Sequence, residues 1–174
     1  MPPPLRAAAR HGLNYRPFAE SDLPFVERLF SSTREEEVAM TGWPEDQQRT
    51  FIAGQFRAQH SHYQTHFGDA EWLIVERAGK PVGRLYLSED EQEFLIVDVT
   101  IAPEARGAGL GAAILEDIFE LARPTGKRVA IHVEKNNPAR RLYLRLGFEV
   151  QEDHGIYDLM TWQRAGDAAD RGAG

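Results

Sequence analysis

Three glycines, Gly107, Gly109 and Gly111, form a short cluster whose residue types suit the binding of phosphate groups. The apolar run at 94–97 before them predicts a buried strand, and apolar residues at helical spacing from Leu110 onward predict a helix after them. The first N–H groups of a helix have no partner within it and carry the positive end of its dipole. Glycine lets a ligand approach these groups closely because it has no side chain. The cluster therefore predicts a site for a ligand that carries phosphate.

Three glycine-rich patterns bind phosphate in this way, and the order of residues separates them. A P-loop needs Lys followed by Ser or Thr after its last glycine, and no such pair follows Gly111. The dinucleotide fingerprint G-x-G-x-x-G has two residues between its last two glycines, whereas a single residue separates Gly109 from Gly111. The run from Arg106 to Gly111 matches Arg/Gln-x-x-Gly-x-Gly/Ala, the signature of the Gcn5-related N-acetyltransferases, which this stretch resembles. A glycine-rich turn that only caps a helix is the alternative.

A second motif lies after the next predicted strand. Asn136, Ala139, Leu142 and Tyr143 stand at the spacing Asn-x-x-Ala-x-x-Leu-Tyr, and a Gly-Phe pair follows them. This stretch resembles the other motif of the same family, and it comes in the right order after the first. Over residues 13–162 the chain is therefore identified as similar to the Gcn5-related N-acetyltransferases.

The resemblance implies an α/β fold with a mixed, mostly antiparallel central sheet of about seven strands, flanked by four helices and splayed at its middle strands. Apolar periodicity predicts the element order β-α-α-β-β-β-α-β-α-β-β. We assign residues 13–164 to one acetyltransferase domain, residues 1–12 to a flexible N-terminal arm, and residues 165–174 to a C-terminal tail. The last predicted hairpin offers an edge strand for a homodimer.

The resemblance also implies acetyl-coenzyme A as the co-substrate and indicates which residues hold it. Its pantetheine arm would pair with the main chain of Val99 and Ile101, and the N–H group of Ile101 would stabilise the oxyanion. Asn136 would contact it near the thiol, and the small side chain of Ala139 would leave room beside it. Its pyrophosphate would lie on the backbone of the glycine cluster, at Arg106, Gly107, Ala108, Gly109, Leu110, Gly111 and Ala112.

Tyr143 falls on the general-acid position of this family. A phenol is protonated at neutral pH and can therefore donate a proton to the departing sulfur. A core tyrosine, or one that only positions the thioester, is the alternative. Because the chain contains no cysteine, no thiol can carry the acetyl group, and we expect direct transfer to the amine in a ternary complex.

The base that deprotonates the amine has two candidates in one predicted strand. Asp98 interrupts the apolar pattern, and a carboxylate there must either be paired or line a cleft. A structural role beside an arginine explains its position equally well. Glu93 stands at the start of the same strand, and in a strand without a bulge the two would face opposite sides of the sheet. A water relay is the third alternative.

Composition narrows the class of partner. A net charge of −7 argues against a nucleic-acid surface and suits a cationic acceptor, which we predict to be an amine of a small molecule or a peptide. No apolar run reaches the length of a membrane span, and a chain without cysteine predicts a cytoplasmic protein without a metal site.

A non-catalytic module that senses acyl-coenzyme A is the alternative function. Arg84, on a predicted strand, would favour an acyl group with its own carboxylate, such as succinyl.

Overall fold

The computed structural model describes residues 2–163 and confirms the predicted alternation of helices and strands, with one further helix before the first strand. No helix in this part of the chain is long and apolar enough to cross a lipid bilayer. In chain order the elements are α1 (Ala7–Arg10), β1 (Leu13–Pro17), α2 (Leu23–Ala39), α3 (Glu45–His66), β2 (Glu71–Arg77), β3 (Lys80–Glu89), β4 (Glu93–Ile101), α4 (Leu110–Ala122), β5 (Arg128–Glu134), α5 (Arg140–Arg145), β6 (Glu149–Asp153) and β7 (Tyr157–Trp162).

The seven strands form one sheet in the order β1-β2-β3-β4-β5-β7-β6, and only the β4–β5 pair is parallel. Its pairing begins at Glu93 with Arg128 and ends at Ile96 with Ile131. Beyond that point the two strands separate, as the predicted splay requires. At the other end of the sheet, β6 is an exposed edge strand, and its use in a homodimer stays a prediction.

A β-bulge in β4 decides which side chains face which side of the sheet. Tyr86 pairs with Asp98 but Leu87 pairs with Ile96, so Val97 is an extra residue without a cross-strand partner on β3. An extra residue shifts the alternation of side chains by one position. Glu93 and Asp98 therefore face the same side of the sheet. The expectation of opposite sides holds for a strand without a bulge, a condition that β4 does not meet.

Helices cover both faces of the sheet. Helices α1, α4 and α5 lie on one side, the α4 face, and bury the larger core with residues such as Phe94, Ile96 and Ile114. Helices α2 and α3 lie on the other side, the α3 face, where a smaller core includes Phe56 and Ile74. Directly paired residues of antiparallel strands share a face. The α3 face of β3 and β4 therefore carries a row of polar side chains, namely Arg84, Tyr86, Asp98 and Thr100.

The N-terminal segment is docked on α4, so the prediction of a flexible arm over residues 1–12 is wrong for the stretch that contains α1. Asp117 of α4 is 0% exposed, and its carboxylate accepts hydrogen bonds from the N–H groups of Arg6 (3.2 Å), Ala7 (2.7 Å) and Ala8 (3.1 Å). It also accepts one from the Tyr15 hydroxyl (3.1 Å). One buried carboxylate thus satisfies the unpaired N–H groups that begin α1. The predicted tail at 165–174 lies outside the described residues.

We expect Asp117→Ala to lower the free energy of unfolding by about 3 kcal/mol, because it leaves several buried donors without an acceptor. Glu116→Ala is the matched control, since the side chain of this neighbour is 44% exposed and its carboxylate lies 3.8 Å from the Arg123 guanidinium. Surface ion pairs of this kind contribute at most about 1 kcal/mol. Urea unfolding followed by circular dichroism measures both. Equal stability of the two variants would show that the docking of α1 adds nothing.

Candidate active site

The glycine cluster forms an open turn at the start of α4. Gly107 (φ 79°) and Gly109 (φ 78°) adopt left-handed backbone conformations, which glycine tolerates without strain. Gly109 is the N-cap residue of α4 and provides no side-chain cap. Within residues 2–163 the N–H groups of residues 107–112 have no hydrogen-bond partner. The turn thus presents a row of free donors at the positive end of a helix dipole, which fits a diphosphate.

Two neighbouring side chains hold and flank this turn. The guanidinium of Arg106 donates a hydrogen bond from Nε to the carbonyl of Ile101 (3.0 Å), which ties the turn to the end of β4. The docked N-terminus brings His11 beside the turn, because a Cβ placed on Gly109 would lie 3.6 Å from His11 Cε1. Sequence reasoning missed His11, since residues 1–12 were assigned to a flexible arm.

The main chain of β4 faces the gap that opens between β4 and β5. The N–H group of Ala102 donates to Val82 of β3 (2.8 Å), so it points away from the gap. Adjacent residues of a strand point their N–H groups in opposite directions. The N–H groups of Ile101 and Val99 therefore point toward the gap, where β5 no longer pairs with β4. They are placed as donors along its edge, while their side chains pack against the larger core.

Tyr143 lies on the α4 face with its ring buried. The residue is 4% exposed, it packs edge-on against Phe148 (5.7 Å between ring centroids), and its hydroxyl makes no hydrogen bond to any described residue. Burial, and after it the charge of Asp98, raises the pKa of Tyr143 to about 12. The phenol is therefore protonated at neutral pH, and no described residue accepts a hydrogen bond from its hydroxyl group.

The two asparagines before α5, Asn136 and Asn137, have different roles. The side chain of Asn137 accepts a hydrogen bond from the N–H group of Ala139 (2.9 Å) and so caps the start of the helical segment. Asn136 is exposed, and its amide has no partner in the described part of the chain. It is free to contact a ligand, whereas Ala139 packs beside the core.

Asp98 is held on the α3 face by four hydrogen bonds. Its carboxylate accepts them from Arg84 Nε (3.2 Å) and Nη2 (2.9 Å), the Tyr63 hydroxyl (2.9 Å) and the Thr100 hydroxyl (2.7 Å). Arg84 is 2% exposed, so Asp98 neutralises a buried cation. This geometry favours the structural role of Asp98 over that of a base. It also engages Arg84, which is not free to bind the carboxylate of an acyl group.

A comparison with family models decides the class of the protein. Residues 27–148 match the model of the acetyltransferase (GNAT) family. The chain belongs to this family. The matched range includes the turn at Gly107–Gly111, the α5 segment with Tyr143 and the gap between β4 and β5.

Curated relatives match part of the chain. It is 30% identical over 88 residues to the peptidyl-lysine N-acetyltransferase YjaB of Escherichia coli, across 51% of this chain and 55% of that protein. It is 34% identical over 97 residues to the glucosamine 6-phosphate N-acetyltransferase of Trypanosoma brucei brucei, across 53% of this chain and 56% of that protein. The match therefore spans about half the length of each of these two relatives.

Solved structures share the fold at low sequence identity. The PaiA N-acetyltransferase of Thermoplasma acidophilum, in complex with coenzyme A, has a TM-score of 0.61 and 15% identity, and the match covers 87% of this chain and 98% of that one. A GNAT family acetyltransferase of Elizabethkingia anophelis with acetyl-CoA bound has a TM-score of 0.57 and 14% identity, with the same coverage. At this identity the likeness concerns the fold.

The structure places Glu93 away from the site. Glu93 is the first residue of β4 that pairs with β5. Val97 follows four residues later, so the two residues lie about 13 Å apart along the strand. Its carboxylate accepts a hydrogen bond from Arg128 Nε at 2.7 Å. Glu93 therefore lies at the closed end of the β4–β5 pair, a position that does not favour it as the base.

Sequence reasoning also missed His132, the first residue of β5 after the last pair with β4. A signal was present, because this histidine stands among the alternating apolar residues Val129, Ile131 and Val133. Only the end of the pairing, which no residue pattern marks, shows that it lies at the gap. No cluster of three or more His, Asp or Glu side chains suited to a metal occurs within residues 2–163.

We expect Asp98→Asn to destabilise the fold by about 3 kcal/mol while Glu93→Gln does not, because only Asp98 neutralises a buried arginine. Thermal unfolding measures the first effect, and the pH dependence of thiol release tests both carboxylates as bases. An Asp98→Asn variant of unchanged stability that has lost the acidic limb of its rate profile would restore Asp98 as the base.

Proposed function

We propose that this chain is an acetyl-coenzyme A-dependent N-acetyltransferase that acetylates a primary amine of a small molecule or a peptide. The observation that carries the proposal is the row of free N–H groups at 107–112, which lies where β4 leads into α4, beside the open end of the β4–β5 gap. Family membership supports it. Relatives named for peptidyl-lysine and for glucosamine 6-phosphate support an amine as the acceptor class without choosing between them.

The chain's own residues would hold the co-substrate along one path. The N–H groups of residues 107–112 would bind its diphosphate, and the N–H groups of Val99 and Ile101 would pair with its pantetheine arm. The N–H group of Ile101 would also stabilise the oxyanion, since a preorganised donor stabilises charge that develops during reaction. Asn136 would contact the thiol end. When bound, acetyl-coenzyme A supplies an acetyl group activated as a thioester.

Tyr143 would act as the general acid. Its raised pKa keeps the phenol protonated, and its unpaired hydroxyl leaves the proton free for transfer. Because α4 and α5 pack on the α4 face, that side of the gap is filled by the chain itself. The acceptor amine would approach from the α3 face, where β5 exposes His132 and Glu134. With the thioester in the gap, approach of the amine from that face suits direct transfer in a ternary complex.

We expect Gly107→Glu to raise the dissociation constant of coenzyme A at least about tenfold, because a carboxylate there repels the diphosphate at a cost of about 1.4 kcal/mol or more. Gly126→Glu is the matched control. Both glycines have positive φ and open space around a Cβ, so both variants carry the same backbone strain and added charge. Gly126 lies beyond the opposite end of α4. Calorimetry that gives equal affinities for the two variants would contradict the placement of the diphosphate.

We expect Tyr143→Phe to reduce kcat about a hundredfold while coenzyme A affinity stays unchanged, because it removes the donated proton and leaves the buried ring in place. Thiol release with a panel of polyamines, arylalkylamines and lysine peptides measures kcat. Equal turnover of the two proteins would remove Tyr143 as the acid. A wild-type protein that binds coenzyme A but releases no thiol with any amine would instead be a sensor.

A further inference from the structure

His132 occupies the point where the sheet opens. Pairing between β4 and β5 ends at Ile96 with Ile131, and His132 is the next residue of β5. Val129, Ile131 and Val133 pack in the core of the α4 face, so the alternating side chains of His132 and Glu134 point to the α3 face. His132 is exposed there. An ionisable side chain open to solvent thus flanks the gap from the side opposite Tyr143.

No described neighbour engages the imidazole nitrogens of His132. It makes no hydrogen bond or ion pair within residues 2–163, and it contacts two aromatic rings there. Tyr157 of β7 packs edge-on against it, with ring centroids 5.7 Å apart, and the His154 ring lies at 6.4 Å. These contacts involve the rings alone and leave both nitrogens of His132 available to a substrate.

The charged groups around His132 already have partners of their own. On its own strand, Glu134 lies 3.7 Å from Arg34 of α2. On β4, Asp98 is held by Arg84, Tyr63 and Thr100. In the last hairpin, His154 contacts Glu152 at 2.8 Å and stacks on Tyr157. His132 is therefore distinguished by being both exposed at the gap and free of polar contacts.

We infer that His132 accepts the proton that the attacking amine loses, directly or through one water. The inference rests on the proposed function. Asp98 is saturated with hydrogen bonds and Glu93 lies at the closed end of the strands, so neither predicted carboxylate is placed for this step. Imidazole changes its charge within the physiological range and is the most common general base in proteins.

His132 and Tyr143 together account for both proton transfers of the reaction. The amine nitrogen forms a bond to the acetyl carbon and the carbon–sulfur bond breaks, so its electron pair leaves on sulfur. The proton lost by the amine goes to an imidazole nitrogen of His132, and the sulfur takes the phenolic proton of Tyr143. Both side chains regain their original state by exchange with solvent. The acid acts from the α4 face and the base from the α3 face.

The first experiment compares His132→Gln with His154→Gln in the pH dependence of kcat, using the most active amine of the panel. His154 is the matched control because it stacks on the same tyrosine and is engaged by Glu152. We expect His132→Gln to lower kcat about a hundredfold and to lose the acidic limb, since only a neutral imidazole accepts a proton. We expect His154→Gln to retain the wild-type kcat and the acidic limb. An unchanged profile in His132→Gln would overturn the inference.

The second experiment does not depend on turnover. Diethyl pyrocarbonate modifies exposed histidines, and peptide mass spectrometry measures the rate at each position. We expect saturating acetyl-coenzyme A to slow the modification of His132 severalfold and to leave His154 unaffected. Equal rates at His132 with and without the co-substrate would show that it does not lie beside the thioester.

The two proposals fail in different ways. If calorimetry shows no binding of acetyl-coenzyme A to the folded protein, the proposed function fails and the assignment of His132 falls with it. If binding and turnover are normal but His132 is neither protected nor needed for the acidic limb, only the assignment of His132 fails.

Discussion

The end of the ladder between β4 and β5 is the constraint on which the rest of the structure depends. Parallel pairing stops at Ile96 with Ile131, and past that point the strands face each other without hydrogen bonds. Backbone groups that lack a partner inside a sheet are costly unless solvent or a ligand satisfies them. An opening in the middle of a sheet therefore persists where solvent or a ligand satisfies those groups. The row of free N–H groups at 107–112 stands at the open end of this gap.

The bulge at Val97 and the Arg84–Asp98 pair maintain that opening from the β3 side. The bulge turns Asp98 toward the α3 face, where it meets a buried arginine that would otherwise lack a counter-charge. Breaking such a pair is strongly destabilising because it leaves an uncompensated charge in the interior. The pair, together with Tyr63 of α3, thus fixes β4 against β3 and α3 while β5 diverges from it. Because β4 is held firmly by β3 and α3, the gap between β4 and β5 can stay open.

Local chemistry made much of the fold predictable. The glycine cluster predicted the turn before α4, and the apolar periodicity predicted the order of helices and strands. Each of these signals acts over a few residues. The bulge at Val97 and the docking of α1 on Asp117 were not predictable, because each depends on partners far away in the chain. The same limit applies to His132, whose place at the gap is set by where a neighbouring strand stops pairing.

These distant contacts also explain why neither predicted carboxylate is free of protein partners. A lone acidic residue in an apolar strand indicates that something must neutralise it, and here that need is met by Arg84 inside the protein. Glu93 is likewise paired, with Arg128 across the closed end of the ladder. A group that exchanges protons with a substrate must instead keep a polar atom free of protein partners. On the α3 face of the gap His132 meets that condition, and on the α4 face the hydroxyl of Tyr143 meets it, so the two free groups stand on opposite sides of the opening.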